Sequence, residues 1–346
     1  MMGPKMKLWK VAVVVGISGF LVFLFFQRIY LGNVIAILLQ VNPIYPLVFS
    51  LAFIPHFWIR AHRWGILLKP YKAEIPIGSL YHATVIGYLI SYLLPGRLGE
   101  IARPVILAEK EKIKKTQAIA TIVLERLIDA LIIFSFFLLS VFFLGSNKAL
   151  PLARIRRISL IVTPILLFLV LAIYLLGARW SGPFIEKFCN CVFAIFPARS
   201  RKRLTEAALT FTRALHPGLD LRSSARLGLL SVGLWVYIIP FYWFLMRGFV
   251  QMRMTIVETV PYFAILYIAG IVPTPGMAGS LDLASRVALT GLFRIEGNTA
   301  VAYTLLFHFL QVAVPVILGL AALWREGLNL KKIWRFGKKD ELPGMQ

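Results

Sequence analysis

Glu125, Arg126 and Asp129 stand inside an otherwise apolar run from about 117 to 143. At about 1.5 Å per residue they fall roughly 12 to 18 Å into a helix, close to the middle of a bilayer. Each charge at that depth costs about 2.5 to 3.5 kcal/mol on insertion scales, so three facing lipid would cost roughly 8 to 10 kcal/mol. They are therefore expected to face the protein interior. Glu125 and Asp129, four residues apart, share one helix face, and Arg126 points about a quarter-turn away. Their prospective partners lie in the preceding polar stretch, Arg97 and Arg103 for the two acids and Glu100 for Arg126. Such a group either locks helices together as an ion-pair network or lines a wet path in which one arginine is left to receive an anionic headgroup.

Those partners sit in a broken segment. Leu93 to Arg103 reads LLPGRLGEIAR, with a helix-breaking Pro95-Gly96 and a further glycine at Gly99. Pro273 to Asp282 reads PTPGMAGSLD, so that Pro275, Gly276 and Gly279 repeat the P-G-x-x-G spacing. Backbone that leaves helical geometry at membrane depth must be buried in protein or line a cavity, because hydrocarbon supplies no hydrogen-bond partners. Two broken helices meeting at one site are the expectation. A half-helix beginning near Gly99 would aim free amides and its positive dipole end into that site, which suits an anion. After the second break, Asp282 and Arg286 are four apart and able to pair with each other. His308 is read as a neutral, hydrogen-bonded side chain, with a proton relay as the alternative. Tyr88 and Tyr92, just before the first break, are candidates for headgroup contact.

The elements that must position these groups are membrane helices. The chain of 346 residues is 59% apolar with a mean hydropathy of +0.79, and its apolar runs reach the roughly twenty residues that cross about 30 Å of hydrocarbon. The runs are continuous rather than alternating, which excludes a β-barrel. Full spans are expected at about 10–30, 44–64, 117–143, 158–177, 227–247 and 298–324. The interrupted runs at about 76–108 and 258–293 are read as re-entrant hairpins. The fold class is thus all-α, a polytopic membrane protein built as an inverted repeat: residues 1–150 form one half, 151–330 the other, and 331–346 a basic tail. Each half has an odd number of crossings, so the halves would be inverted relative to each other. A polar insert at 178–226, with apolar residues at helical spacing, would lie on the inner leaflet as amphipathic helices.

The net charge of +23 arises from Lys and Arg concentrated in short segments between apolar runs, which acts as a topological signal rather than a nucleic-acid footprint. With Arg60 and Arg63 counted among the inner-loop charges, the bias places both termini in the cytoplasm and the protein in the cytoplasmic membrane. The cluster Arg154 to Arg157 is the misfit. The amino-terminal run lacks a small-residue cleavage site and is taken as a retained span. Cys189 and Cys191 form a lone C-x-C, read as free thiols. No metal-site or phosphate-loop motif is present, His216 and Asp220 fall one residue short of an H-x4-D pair, and no cofactor is expected.

PGRLGEIAR at 95–103, ERLID at 125–129, RAHRW at 60–64 and PTPGMAG at 273–279 together resemble the transmembrane domain of the lysylphosphatidylglycerol synthase family, the flippase-like membrane proteins. The resemblance spans nearly the whole chain. It implies lipid handling: in full-length relatives this domain moves aminoacylated phosphatidylglycerol, while a separate soluble domain attaches the amino acid. That soluble domain is not expected here, since about twenty residues follow the last span. Met277 and Ala278, where the family often has a further glycine, and Asp282, where it often has glutamate, depart from the pattern.

The expected function is a lipid flippase or transporter rather than an enzyme, with Arg97, Glu100, Arg103, Glu125, Arg126, Asp129, Asp282 and Arg286 contacting substrate. The expected partner is a membrane phospholipid with an anionic or aminoacylated headgroup; a second copy of the chain or an envelope enzyme is a further partner, and nucleic acid is not. The alternatives are a membrane transferase using Glu100 or Asp129 as general base, and an accessory subunit of an envelope-lipid enzyme.

Overall fold

A computed structural model describes residues 16–93, 98–144, 205, 220–272 and 274–327. Among these residues the chain is helical throughout. The helices are α1 (Gly16–Phe26), α2 (Leu31–Leu39), α3 (Ile44–Leu68), α4 (Ile77–Leu93), α5 (Gly99–Glu111), α6 (Lys115–Leu144), α7 (Leu221–Arg247), α8 (Ile256–Ala269), α9 (Ser280–Gly291) and α10 (Gly297–Arg325), with a 3-10 turn at Pro275–Met277.

Polar residues mark where the later apolar helices begin. The Asp220 carboxylate accepts from the Ser223 amide before α7, Thr255 and Glu258 form a capping box on α8, and Glu296 accepts from the Thr299 amide before α10. Each satisfies amides that a helix start leaves without partners. Four helices, α3, α6, α7 and α10, are long and apolar enough to cross a membrane; α1 and α2, bent by 77° at the break between them, make a fifth if counted as one span. Large apolar side chains such as Phe20, Phe142, Leu229, Phe309 and Ile317 are exposed on the bundle. In water such a surface is a liability; in a bilayer it is the solvated face.

α4 lies at the centre, packed on α3, α5 and α10, while α3 and α7 run together and α8 packs on α6 and α9. α4 and α5 approach so closely that a Cβ on Gly99 would stand 1.7 Å from the Gly87 carbonyl oxygen. Only glycine permits this crossing.

Several expectations change. Beyond the expected first span, Leu31–Leu39 forms a further nine-residue helix, bent by 77° from α1, in a stretch where no element is expected. α3 continues past residue 64 to Leu68, which brings Arg60 and Arg63 into a buried helix rather than an inner loop. α7 begins at Leu221, inside the stretch assigned to the amphipathic insert. The interrupted runs each consist of two helices separated at the Pro-Gly motif, α4 with α5 and α8 with α9. Pro95, Gly96, Arg97 and Pro273, the span at 158–177, the cluster Arg154 to Arg157, both cysteines, His216, the insert up to residue 219 apart from Thr205, and the tail lie outside the described residues.

Candidate functional site

The buried charges gather where α3, α5 and α6 meet. On α3 the spacing of His56, Arg60 and Arg63, four then three residues, puts all three on one face; each is buried. Arg60 Nη1 lies 3.2 Å from Glu125 Oε1 and 3.3 Å from Asp129 Oδ2. Arg63 holds Asp129 through Nη1 and through Nη2 at 3.1 Å, and reaches Glu125 at 2.9 Å. Arg103, from α5, adds Nη1 at 3.3 Å from Glu125. Arg126 stands 3.6 Å from both Glu100 and Asp129.

Glu125 and Asp129 are fully buried, and each is surrounded by guanidinium groups. Such a cluster is tolerable inside a membrane only because attraction at low dielectric offsets the desolvation of its members. Aromatic rings hold the cations in place. The Arg103 guanidinium lies 4.1 Å above the Trp64 ring, and Arg60 lies 5.3 Å from Trp235 and 5.9 Å from Tyr88. Trp64 is itself fixed by a 2.9 Å bond from its indole nitrogen to Thr121.

Beside this cluster lies a cavity of about 130 Å³. His56, Arg60, Tyr88, Glu100, Arg103, Arg126 and Trp235 give it a polar wall; Tyr92, Tyr242, Phe263, Met277, Leu281 and Gln311 form the remainder with other apolar residues. Both broken segments therefore contribute to one cavity, Glu100 and Arg103 from the first, Met277 and Leu281 from the second.

Its buried polar atoms are unevenly satisfied. Among the described residues, Arg103 Nε and Nη2, Arg126 Nε, His56 Nδ1 and Trp235 Nε1 have no hydrogen-bond partner. His56 Nε2 accepts from Arg60 Nε at 3.0 Å, which leaves the ring proton on Nδ1. These five unmet atoms on the wall are thus all N–H donors. The two buried carboxylates are paired with arginines, although Glu125 Oε2, 3.3 Å from Arg103 Nη1, accepts no hydrogen bond and is not itself part of the cavity wall.

The second break makes a different site. Gly276, Met277 and Gly279 all have left-handed backbone, with φ of 58°, 61° and 85°. Asp282 Oδ2 accepts from the Gly279 amide at 2.9 Å, and its Oδ1 lies 2.5 Å from His308 Nδ1. His308 Nε2 reaches the Gly276 carbonyl at 2.9 Å. Behind it, Tyr262, Ser285 and Thr304 link their hydroxyls at 2.8 and 2.6 Å.

Of the expected site residues, the structure brings Arg103, Glu125, Arg126, Asp129 and Glu100 together. Asp282 is set apart on α9, with His308 as its partner. Arg286 does not pair with Asp282: it donates to the carbonyls of Leu24, Phe25 and Gln27, capping the end of α1. Arg97 is outside the described residues. Tyr88 and Tyr92 both line the cavity. Sequence reasoning missed Arg60, Arg63, His56 and Trp235. The available signal was the 4-then-3 spacing of His56, Arg60 and Arg63, which repeats the face periodicity of a helix and is not required of a loop.

Comparison with known proteins agrees with this architecture. A UPF0104 membrane protein of Methanocaldococcus jannaschii is 23% identical over 328 residues, covering 92% of this chain and 96% of that protein. Residues 8–319 match the family model for the lysylphosphatidylglycerol synthase transmembrane region, and with that match across most of its length the chain belongs to that family of multi-pass membrane proteins.

Proposed function

We propose that this protein is a lipid flippase or transporter that receives a phosphate-bearing headgroup in the cavity beside Arg103 while the acyl chains stay in the membrane. One observation carries the reading: among the described residues, the unmet buried polar atoms of the cavity wall, on Arg103, Arg126, His56 and Trp235, are all donors. A buried unmet donor costs about 1 to 3 kcal/mol, so such a wall favours a ligand rich in acceptors. Guanidinium groups with free N–H pairs match phosphate oxygens in charge and geometry.

The same distribution argues against a cationic headgroup, because Glu125 and Asp129 are spent on Arg60, Arg63 and Arg103. It also argues against a transferase that uses Asp129 as its base, since a carboxylate held by two or more arginines is a poor general base. With the basic segments facing the cytoplasm, as the positive-inside rule expects, the headgroup would cross the cytoplasmic membrane.

Reconstitution into vesicles containing fluorescently labelled phosphatidylglycerol tests this. Wild type should move label between leaflets, and Arg103→Ala should lose most of that activity while its melting shows it folded. Identical leaflet exchange with and without protein overturns the proposal.

A further inference from the structure

We propose that Asp282 and His308 form a proton-binding site that clasps the broken segment at Pro275–Met277 to α10 when loaded and loosens it when empty. The Gly276 carbonyl oxygen can only accept, so the 2.9 Å contact requires a proton on His308 Nε2. The 2.5 Å contact between Nδ1 and Asp282 requires a second proton, shared by ring and carboxyl. Imidazole and carboxyl together thus hold two protons and are neutral as a pair.

Loss of one proton to water leaves a single hydrogen for two contacts. If it stays on Nδ1, a ring lone pair faces the Gly276 carbonyl; if it stays on Nε2, a lone pair faces the Asp282 carboxylate. One of the two clasps is lost either way. What they hold includes one strained residue: Met277 is left-handed without being glycine, a cost that persists only while the surroundings enforce it, and it is flanked by Gly276 and Gly279, which take positive φ freely. Asp282 also holds the Gly279 amide, so the pair grips the break at two points.

The surroundings contribute no second charge to the ring. α2, packed on α10, has no titratable residue between Leu31 and Leu39. α9 contributes Asp282 itself, its Arg286 being engaged with the carbonyls at the end of α1. α4 contributes Tyr81, Tyr88 and Tyr92, and its His82 is engaged with Glu326. α3 contributes Tyr45, His56, Arg60, His62 and Arg63, of which His56 and Arg60 are on the cavity wall. α7 contributes Tyr242, which reaches Gln311 at 3.5 Å, one turn beyond His308 on α10. Among the described residues, Asp282 is the charged group that touches the ring. The side chains of His308 and Asp282 are 14% and 9% exposed, so the pair is not sealed inside the bundle.

Met277 and Leu281 line the cavity, so release of the clasp reshapes the wall opposite Arg103. A coupling role for this proton rests on the transport reading given above; the proton site itself does not.

Hydrogen exchange of the 274–284 segment in lipid nanodiscs, corrected for intrinsic pH dependence, tests it. Between about pH 5 and 9, where histidine is the side chain suited to switch, wild-type protection should fall at least about tenfold through a one-proton transition. His308→Gln and Asp282→Asn should each abolish the transition. A flat wild-type profile overturns the proposal, and so does an unchanged transition in folded His308→Gln. Should either variant fail to fold, the wild-type profile decides alone. Leaflet exchange measured under an imposed pH gradient is the second arm: absence of exchange with an intact titration would remove the transport reading and leave the proton site standing.

Discussion

The helices that follow the two breaks, α5 and α9, start from the same P-G-x-x-G spacing and deliver opposite electrostatics. α5 brings Arg103 to a cluster in which four guanidinium groups, on Arg60, Arg63, Arg103 and Arg126, meet two fully buried carboxylates. α9 brings Asp282 to one histidine and ties its arginine to backbone carbonyls. A shared backbone device thus creates room for polar groups without deciding what they do. The first site keeps unmet donors beside a cavity; the second is satisfied within itself and depends on a proton to remain so.

That difference should appear first in stability. Asp129→Ala would leave Arg60 and Arg63 to share Glu125 with Arg103, and removing one member of a buried ion pair costs about 3 to 5 kcal/mol. Asp282→Ala removes a carboxylate from a neutral, hydrogen-bonded pair and should cost about 1 to 3 kcal/mol. Thermal unfolding of both variants in one detergent measures the gap. Equal losses would mean that the second site is as charged and as desolvated as the first.

Next comes the backbone at each site. Gly99→Ala places a methyl group against the Gly87 carbonyl and the Ser91 side chain, so α4 and α5 must separate at the cavity wall. Overpacking of this kind costs about 1 to 3 kcal/mol, and the shift of Arg103 should weaken phosphate binding measured by calorimetry. Among the described residues Gly276→Ala meets the Tyr92 carbonyl alone, at 3.4 Å, and its φ of 58° costs about 1 to 2 kcal/mol instead. Phosphate binding should survive it. If Gly276→Ala weakens binding more than Gly99→Ala does, the assignment of ligand chemistry to the first site is wrong.

Much of the first site was legible because charge in an apolar run has few explanations. Glu125 and Asp129 had to face inward, and Glu100 lay within reach of Arg126. Arg60 and Arg63 were hidden by the opposite effect: arginines at the end of an apolar run look like cytoplasmic-loop residues, and only the continuation of α3 to Leu68 buries them. The second site was less legible. Asp282 and Arg286 have ideal helical spacing for a pair, yet tertiary contacts bring His308 and the end of α1 closer, and pattern alone carries no such distances. The all-helical class followed from hydropathy, whereas the 77° bend after α1 depends on nine residues too few to register as a span.

The smallest expected effect lies at the rim. Glu326, just beyond α10, accepts from Lys110 at the end of α5 at 2.7 Å and lies 2.5 Å from His82 on α4, joining the last helix to the first broken pair. Burial alone would raise the Glu326 pKa, but hydrogen bonds and charge from Lys110 and His82 hold it below the usual carboxylate value. A carboxyl depressed in the folded state stabilises above its unfolded value, about 4.3, and that contribution fades as pH falls through the lower folded value. Lys110 is 40% exposed, so solvent and salt screen the pair and it contributes only about 0.2 to 1 kcal/mol. Lys110→Ala should therefore lower the melting temperature slightly at pH 7, less at high salt, and converge on wild type in acid. A penalty that persists below about pH 3 would assign the contact to packing of the lysine stem rather than to charge. The rim would then hold the first pair to α10 by apolar contact, unlike the proton-held second pair.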